Sequence, residues 1–323
     1  MSIVVKDHLF TLHTKNTSYQ LTADDHGILR HLYYGAKVEN ADFSYLVQQR
    51  DRGFSGNPGD AGDDRTLSFD TLPLEYPVLG CGDYREACLA VTHPDGSRAL
   101  DLRFEVYRVL PGKPQLHGLP ASLPDENTET LEIQLRDRVS GLCVWLSYAV
   151  FPEKDVITRS VRIENGGSAP VTLDRVLSCC LDLYQPAERD LMTFYGRHAG
   201  ERNMQRSPLQ HGKFRVESTR GASSLHYNPS AILCAHDATE HTGEAYAVVL
   251  VYSGSFLISA EVDQIDQTRL VAGIQLEGFS WQLCPGEVFT APEVLLSYSA
   301  AGLGQLSRQL HSFLNNHIIH GVW

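Results

Sequence analysis

The sequence predicts an all-β protein, a large antiparallel double sheet with one helix at the C-terminal end. Three observations predict it. Many segments alternate apolar and polar residues, turn-forming glycine and asparagine separate these segments, and a helical period occurs only in the last part of the chain. The expected hairpins contain more strands than a small sandwich holds, which favours a large double sheet.

The first strand patterns lie between residues 99 and 177. Residues 99–110 alternate apolar with charged side chains, so we expect one half-buried strand there. Residues 129–151 predict two strands that meet around Ser140-Gly141. Residues 156–177 predict a further hairpin, in which Asn165-Gly166-Gly167 supply the positive-φ residues of a tight turn. The same alternation continues in residues 244–263, 268–283 and 287–299.

The helix is predicted over residues 303–318. Apolar residues recur there at steps of three and four, namely Leu303, Leu306, Leu310, Phe313, Leu314 and Ile318. His317 and His320 follow at the carbonyl end, where positive charge complements the helix dipole. We therefore divide the chain into a β domain, residues 1–301, and a linker helix, residues 302–323.

Composition excludes some classes of partner. The chain has 323 residues and is 42% hydrophobic, enough for a sizeable core. Its 27 Lys and Arg against 39 Asp and Glu give a net charge of −12. That charge argues against binding to nucleic acid or to anionic membranes.

The cysteines and the N-terminal residues favour the cytoplasm. Seven scattered cysteines, without a CxxC motif, fit a reducing compartment better than secretion. In the opening segment MSIVVKDHLF, Lys6 and Asp7 interrupt the apolar run, so we expect no signal peptide. No segment approaches the roughly 20 apolar residues of a membrane helix.

One polar segment stands apart from the strand pattern. Residues 51–65, DRGFSGNPGDAGDDR, contain four aspartates, two arginines and four glycines. The spacing of Asp60, Asp63 and Asp64 does not match a calcium-binding loop. The simplest interpretation is an exposed loop with weak surface ion pairs, Asp51 with Arg52 and Asp64 with Arg65.

Other candidate sites are weaker. The pairs His236 with His241 and His317 with His320 lack a third ligand nearby and the HExxH form, so we expect no metal. Cys179-Cys180 lies in an apolar run and is expected in the core. No nucleotide-binding loop or nucleophile elbow occurs, and we expect no cofactor. Paired carboxylates stay open, because a sequence cannot place two of them at the separation that glycoside hydrolysis requires.

Several ordered segments carry a resemblance to a known family. The chain is similar to bacterial α-galactosidases of glycoside hydrolase family 36 over essentially its whole length. The matching segments are residues 51–77 (DRGFSGNPGDAGDDRTLSFDTLPLEYP), 27–35 (GILRHLYYG), 116–121 (LHGLPA), 156–160 (VITRS), 220–229 (RGASSLHYNP), 251–256 (VYSGSF) and 292–303 (PEVLLSYSAAGL). One departure is Arg197, where the family pattern leads us to expect a tryptophan.

The resemblance implies a fold and an activity. It implies a mutarotase-like β-supersandwich, followed in complete enzymes by a (β/α)8 barrel that holds the nucleophilic and the acid/base aspartates. By this resemblance we expect the present sequence to correspond to the part that precedes the barrel. The implied role is the non-catalytic N-terminal domain of a retaining α-galactosidase that acts on terminal α-galactosides of the melibiose or raffinose type. The implied assembly is a cytoplasmic homo-oligomer, a tetramer.

The resemblance also gives the polar segment a role. In the family this loop reaches the active site of a neighbouring subunit, and the matching positions are Asp51 and Arg65, with Phe54 as a candidate stacking ring. A carboxylate and a guanidinium suit sugar hydroxyls and ring oxygens. With four glycines and its partner barrel absent, we expect residues 52–64 to be poorly ordered in this chain alone. The alternatives are a stand-alone carbohydrate-binding module, a purely structural assembly domain, and a mutarotase-like epimerase.

Overall fold

A computed structural model describes residues 2–39, 41–53, 57–184 and 187–319. In these ranges the chain forms twenty strands and one C-terminal α-helix. The strands in the first half are β1 (Ile3–Lys6), β2 (Leu9–His13), β3 (Thr17–Ala23), β4 (Leu29–Ala36), β5 (Leu89–Thr92), β6 (Leu102–Pro111), β7 (Glu129–Asp137), β8 (Leu142–Phe151), β9 (Val156–Asn165) and β10 (Val171–Leu183). Those in the second half are β11 (Arg189–Arg197), β12 (Gly200–Pro208), β13 (Gly212–Ser218), β14 (Tyr227–Ala235), β15 (Ala245–Val251), β16 (Phe256–Val262), β17 (Thr268–Ile274), β18 (Trp281–Leu283), β19 (Val288–Thr290) and β20 (Glu293–Ser299).

The strands form three sheets. A four-stranded sheet has the order β1-β2-β3-β4, and a six-stranded sheet has the order β13-β16-β17-β10-β18 with β5 beside β10. A ten-stranded sheet has the order β12-β11-β14-β15-β20-β9-β8-β7-β6 with β19 beside β9. The pairings between these strands are antiparallel. The predicted fold class, a large antiparallel β-supersandwich with a C-terminal helix, is confirmed.

The hairpin predicted over residues 156–177 is wrong. β9 pairs with β8 and β20 in the ten-stranded sheet, whereas β10 pairs with β17 in the six-stranded sheet, so the connection crosses from one sheet to the other. Neither Gly166 nor Gly167 has a positive φ. Glycine is required there for close approach, since a Cβ on Gly167 would lie 2.1 Å from the carbonyl oxygen of Ser140. The turn residues were recognised correctly, but their physical role is packing against the β7–β8 turn.

The hairpin predicted over residues 129–151 is present as β7 and β8, whose turn places Gly141 at a φ of 77°. The strand predicted over residues 99–110 is present as β6, but its half-buried pattern holds only in part. A register shift between Phe104 and Val106 interrupts the alternation, and Val106 is 44% exposed. β6 is an edge strand, so beyond the shift its side chains reach solvent.

The main core is formed by inward-facing residues of all three sheets. β15 shows the underlying alternation: Tyr246 and Val248 enter this core, whereas Ala245 and Ala247 point to the opposite face. That opposite face is covered by the helix α1 (Gly302–Phe313), which buries Leu306 there. A strand with both faces covered consists of a continuous apolar run, which is why Ala245–Val251 is apolar throughout.

The helix ends in a π-helical turn, Leu314–Ile318. Phe313 packs against Phe151 with ring centroids 4.8 Å apart, so the end of the helix is fixed to the ten-stranded sheet. His317 was expected to cap the helix, but it is buried and Nδ1 lies 2.9 Å from the carbonyl oxygen of Leu123. His320 lies outside the described residues. The division of the chain at residue 301 stays a prediction.

A buried polar cluster joins the four-stranded sheet to the ten-stranded sheet. The Glu75 carboxylate accepts hydrogen bonds from Tyr19 of β3 at 2.6 Å and from Tyr148 and Arg159 of β8 and β9 at 2.8 and 2.9 Å. Although burial raises the pKa of Glu75, the Arg159 charge and these bonds hold it below its ordinary value. Glu75 therefore stays charged where the sheets meet.

Among the described residues, no helix has the length and apolarity needed to cross a membrane.

Candidate functional site

The polar segment forms a loop between β4 and β5, and its two ends meet. The Arg52 amide donates to the Arg65 carbonyl at 3.1 Å, which closes the base of the loop. At this closure Arg65 Nη2 lies 3.0 Å from Asp51 Oδ1. The two side chains are 61% and 59% exposed, so the pair faces solvent. We call the pair Asp51–Arg65 the neck pair.

Local backbone bonds fix the neck pair. Asp51 Oδ1 also accepts the Gly53 amide at 2.8 Å, and Gly53 has a φ of 61°, which favours glycine. At the other end Asp64 Oδ1 accepts the amide and hydroxyl of Thr66 at 2.8 and 2.7 Å, and these bonds lower the pKa of Asp64. The acidic and glycine-rich composition thus serves tight turns on both sides of the neck pair.

The exposed ion pairs differ from those the sequence suggested. Asp51 pairs with Arg65 across the loop rather than with its neighbour Arg52. Arg52 instead donates to Asp70 Oδ2 at 2.8 Å, and Asp70 is buried. The structure therefore brings together the two residues predicted for substrate contact. Phe54, the third candidate, lies outside the described residues.

A second part of the loop packs onto the domain. Residues Gly59–Ala61 form a 3₁₀ turn, and Ala61 is buried in a small core with Leu67 and Phe69. The Asp60 carboxylate lies 3.3 Å from two guanidinium nitrogens of Arg103. The loop is therefore attached to the domain through Arg52, next to Asp51, and through Asp60, in the turn that precedes Arg65.

Beneath the loop lies a buried charge network that sequence inspection missed. Arg269 on β17 meets Asp182 on β10 at 2.6 Å and Asp83 at 2.8 Å. Arg85 bonds to Asp83 at 2.9 Å and donates to the carbonyls of the segment that follows the loop. Asp182 Oδ2 also accepts the amide of Leu74 in that segment at 2.9 Å. No short motif marks this network, because its four members come from three distant parts of the chain, residues 83–85, 182 and 269.

The charges of this network are fixed by mutual pairing. Burial raises the pKa of Asp182, but the guanidinium of Arg269 and then that of Arg85 outweigh it and lower the pKa to about 2. Asp182 is thus ionised at neutral pH, and through its contacts with Arg269 and with the Leu74 amide it holds the segment that follows the loop against the six-stranded sheet.

The loop borders a cleft of about 850 Å³. Asn57, Asp60 and Arg103 line it together with Phe69 and Ser140. Carboxylates, guanidinium, amide and hydroxyl groups around one cleft match the hydrogen-bonding needs of a neutral, hydroxyl-rich ligand.

The carboxylates and histidines do not assemble into metal sites in the described ranges. No group of three His, Cys, Asp or Glu side chains there has the arrangement to hold an ion. Asp60 is occupied by Arg103, and His26 lies 3.6 Å away. His236 hydrogen-bonds to Asp190 at 2.8 Å rather than pairing with His241. Cys179 and Cys180 are buried, and burial raises the pKa of the Cys179 thiol to about 12, in keeping with a core position.

The chain is similar to known proteins over nearly all of its length. A family model described as the glycosyl hydrolase family 36 N-terminal domain matches residues 27–284. A bifunctional alpha-galactosidase/sucrose kinase, AgaSK, from Mediterraneibacter gnavus is 50% identical over 96% of this chain and 33% of its own length. Alpha-galactosidase Mel36A from Lactobacillus acidophilus is 40% identical over 97% of this chain and 43% of its own length.

Solved structures of family 36 alpha-galactosidases are similar to this chain as well. A variant of the family 36 alpha-galactosidase AgaA from Geobacillus stearothermophilus, in complex with raffinose, superposes with a TM-score of 0.94 at 40% identity. The match covers 97% of this chain and 44% of that one. This chain thus spans between one third and somewhat under one half of the length of these relatives.

Proposed function

The chain belongs to the glycosyl hydrolase family 36 N-terminal domain family, and from that premise we propose that it is the non-catalytic N-terminal domain of a retaining α-galactosidase. In this proposal the domain contributes to oligomer assembly and lends its polar loop to the substrate site of a neighbouring subunit. The substrates are terminal α-galactosides of the melibiose or raffinose type.

The observation that carries the substrate role is the neck pair. Asp51 and Arg65 lie 3.0 Å apart, remain about 60% exposed, and stand on a loop that the domain anchors on both sides. An exposed carboxylate beside an exposed guanidinium offers an acceptor for paired hydroxyls and a forked donor for oxygens. Because both groups are already ordered by one another, a sugar can bind them with a small entropic cost.

The absence of catalysis by this domain follows from the proposed division of labour. The two carboxylates of a retaining glycosidase act about 5 Å apart, and in this family they belong to the barrel. Asp51 faces a guanidinium rather than a second carboxylate. We expect the purified chain to leave a chromogenic α-galactoside unhydrolysed. Turnover that copurifies with the chain through successive columns would contradict this.

The substrate role is tested by variants of the neck pair in the complete enzyme. Asp51→Ala removes a charged acceptor, and hydrogen bonds to charged groups contribute roughly 1.5–3 kcal/mol, so kcat/KM should fall about ten- to a hundredfold or somewhat more. Arg65→Ala should act similarly. Asp63→Ala is the matched control, since it makes the same charge change at an exposed position of the same loop. Intact oligomers with wild-type kinetics in both neck variants would end the proposal.

Assembly is supported by exposed apolar side chains at the end of the ten-stranded sheet. Tyr195 of β11 and Tyr227 of β14 are register partners and are 45% and 46% exposed, and Met204 of β12 is 60% exposed. β12 is the edge strand and β11 and β14 lie next to it, and exposed apolar groups at the edge of a sheet favour burial against another subunit. We expect the complete enzyme to be a tetramer and Met204→Lys to lower its mass in light scattering, whereas an unchanged mass would remove this surface from the proposal.

The cytoplasm is the proposed compartment. Seven free cysteines support it, among them Cys179 and Cys180 side by side in the core.

Calorimetry distinguishes the proposed function from its rival, a stand-alone carbohydrate-binding module. Millimolar or tighter binding of raffinose to this chain alone would favour it, whereas no binding fits a site completed by a second subunit.

A further inference from the structure

Arg103 lies on the edge strand β6, yet its side chain is only 10% exposed. A guanidinium on an edge strand would ordinarily extend into solvent. Here it turns inward beneath the polar loop, where its centre stands 5.7 Å from the Phe69 ring. The burial indicates a positional role.

The guanidinium joins three separate segments. Nε donates to Asp101, the residue just before β6, at 2.6 Å, and Nη1 donates to the His26 carbonyl at 2.9 Å in the β3–β4 turn. Both terminal nitrogens then reach the two oxygens of Asp60 at 3.3 Å, a forked contact. The contacts with Asp101 and His26 fix the guanidinium. The contact with Asp60 therefore restrains the loop relative to the domain.

Asp60 links the Arg103 guanidinium to the rest of the loop. The Asp60 side chain is 52% exposed, and it precedes Ala61, the buried residue of the 3₁₀ turn. Burial raises the pKa of Asp60, but the charge and hydrogen bonds of Arg103, together with a backbone hydrogen bond and the nearby His26, hold the pKa below its ordinary value, so the contact is ionic at neutral pH. The Asp64 amide donates to the Ala61 carbonyl at 3.0 Å, and Asp64 is followed directly in the chain by Arg65. The turn that Asp60 anchors is thus bonded to the residue next to Arg65.

We propose that Arg103 is a positioning residue that, through Asp60, holds the arm of the loop carrying Arg65 so that the neck pair stays in one orientation. Arg52 and Asp70 hold the other arm. The contact itself is independent of the proposed function, whereas its kinetic consequence rests on it.

The contact is tested first by hydrogen exchange in this chain. Asp60→Asn keeps the shape of the side chain and leaves Arg103 paired with Asp101, so the fold should persist. The amide protons of Ala61 and Asp64, both bonded within the turn, should then exchange about three- to tenfold faster. Asp63→Asn, the same charge change at an exposed neighbour, should leave both rates within about twofold of wild type. The same measurement reports on the expected disorder of residues 52–64.

Kinetics of the complete enzyme test the positioning. Asp60→Asn should lower kcat/KM about three- to tenfold, mainly through KM, because the subsite is loosened but its groups are kept. Combined with Asp51→Ala it should add less than its single effect, since both changes act on one subsite. Arg103→Lys should lower kcat/KM to a value between that of wild type and that of Asp60→Asn. An ammonium keeps the positive charge, but it lacks the forked guanidinium that reaches Asp60 and Asp101 together.

The outcomes separate this proposal from the proposed function. Unchanged exchange in Asp60→Asn overturns the positioning role, whatever the kinetics. Faster exchange with a kinetic loss in Asp51→Ala, but none in Asp60→Asn, overturns it as well. Faster exchange with wild-type kinetics in both variants supports the contact and counts against the substrate role of the loop instead.

Discussion

Two arginine–aspartate groups in this domain use the same chemistry for different ends. In the neck pair, Asp51 and Arg65 are 3.0 Å apart and about 60% exposed. In the buried network, Arg269 and Asp182 are 2.6 Å apart and 2% exposed. The neck pair competes with water, so it adds little stability and its groups stay available to a ligand. The network is closed to solvent, and it fixes the segment that follows the loop.

The difference arises from solvation. Two charges removed from water attract strongly, but each has lost its hydration, so removing one partner leaves an uncompensated buried charge. At the neck pair, water replaces a lost partner at almost no cost. We therefore expect the effect of substitution on stability to follow burial, and the effect on activity to follow exposure.

The largest effect should come from the buried network. Asp182→Ala leaves Arg269 with the Asp83 carboxylate and the Glu86 carbonyl, and it leaves the Leu74 amide without the acceptor it has here. We expect a loss of about 3–5 kcal/mol in the free energy of unfolding, measured with urea. Asp182→Asn, which keeps one acceptor, should lose less. A loss below about 1 kcal/mol for the alanine variant would show that burial does not govern this comparison.

A smaller effect should appear in the pH dependence of stability. The pKa of folded Asp182 is about 2, below the value of about 3.9 in unfolded chains. Its stabilising contribution, on the order of 2–3 kcal/mol, is thus fully present above about pH 4 and declines as pH falls toward 2. The difference in unfolding free energy between wild type and Asp182→Asn should shrink over that window. A difference that stays constant there would argue against an ionised Asp182.

Arg52 and Asp70 provide an intermediate case, with side chains 28% and 9% exposed. Arg52→Met should cost about 1–2 kcal/mol, because Asp70 then keeps, in the part of the chain that the structure describes, only the Gln264 side-chain amide, at 3.3 Å. Arg65→Met is the matched control in the same loop. Equal losses in the two variants would contradict a dependence on burial.

The smallest effect on stability should come from the neck pair itself. Asp51→Ala should change the unfolding free energy by less than about 1 kcal/mol, since the exposed pair is screened by water and salt. A thermal midpoint that drops as far as in Arg52→Met would assign the pair a structural role and would weaken its proposed contact with substrate.

Local patterns predicted the elements better than their partners. The alternation in residues 129–151 identified β7 and β8, and the helical period identified α1, because both depend on residues close in sequence. The turn at Gly166-Gly167 was recognised, but its strands lie in different sheets, since a turn residue does not reveal which strand pairs with which. The helical period predicts a helix-terminal role for His317 but not its burial, since the burial depends on Leu123, far away in the sequence.

The sequence by itself determined the all-β class, the C-terminal helix and the exposed character of the polar loop, since these follow from the spacing of apolar residues and the excess of aspartate and glycine. Only the tertiary structure decided that Asp51 meets Arg65 rather than Arg52, that Arg103 holds Asp60, and that Asp182 and Arg269 lie beneath them. The physical reason is that charge pairing depends on distance in space and on burial. Both are set by the packing of strands that lie far apart along the chain.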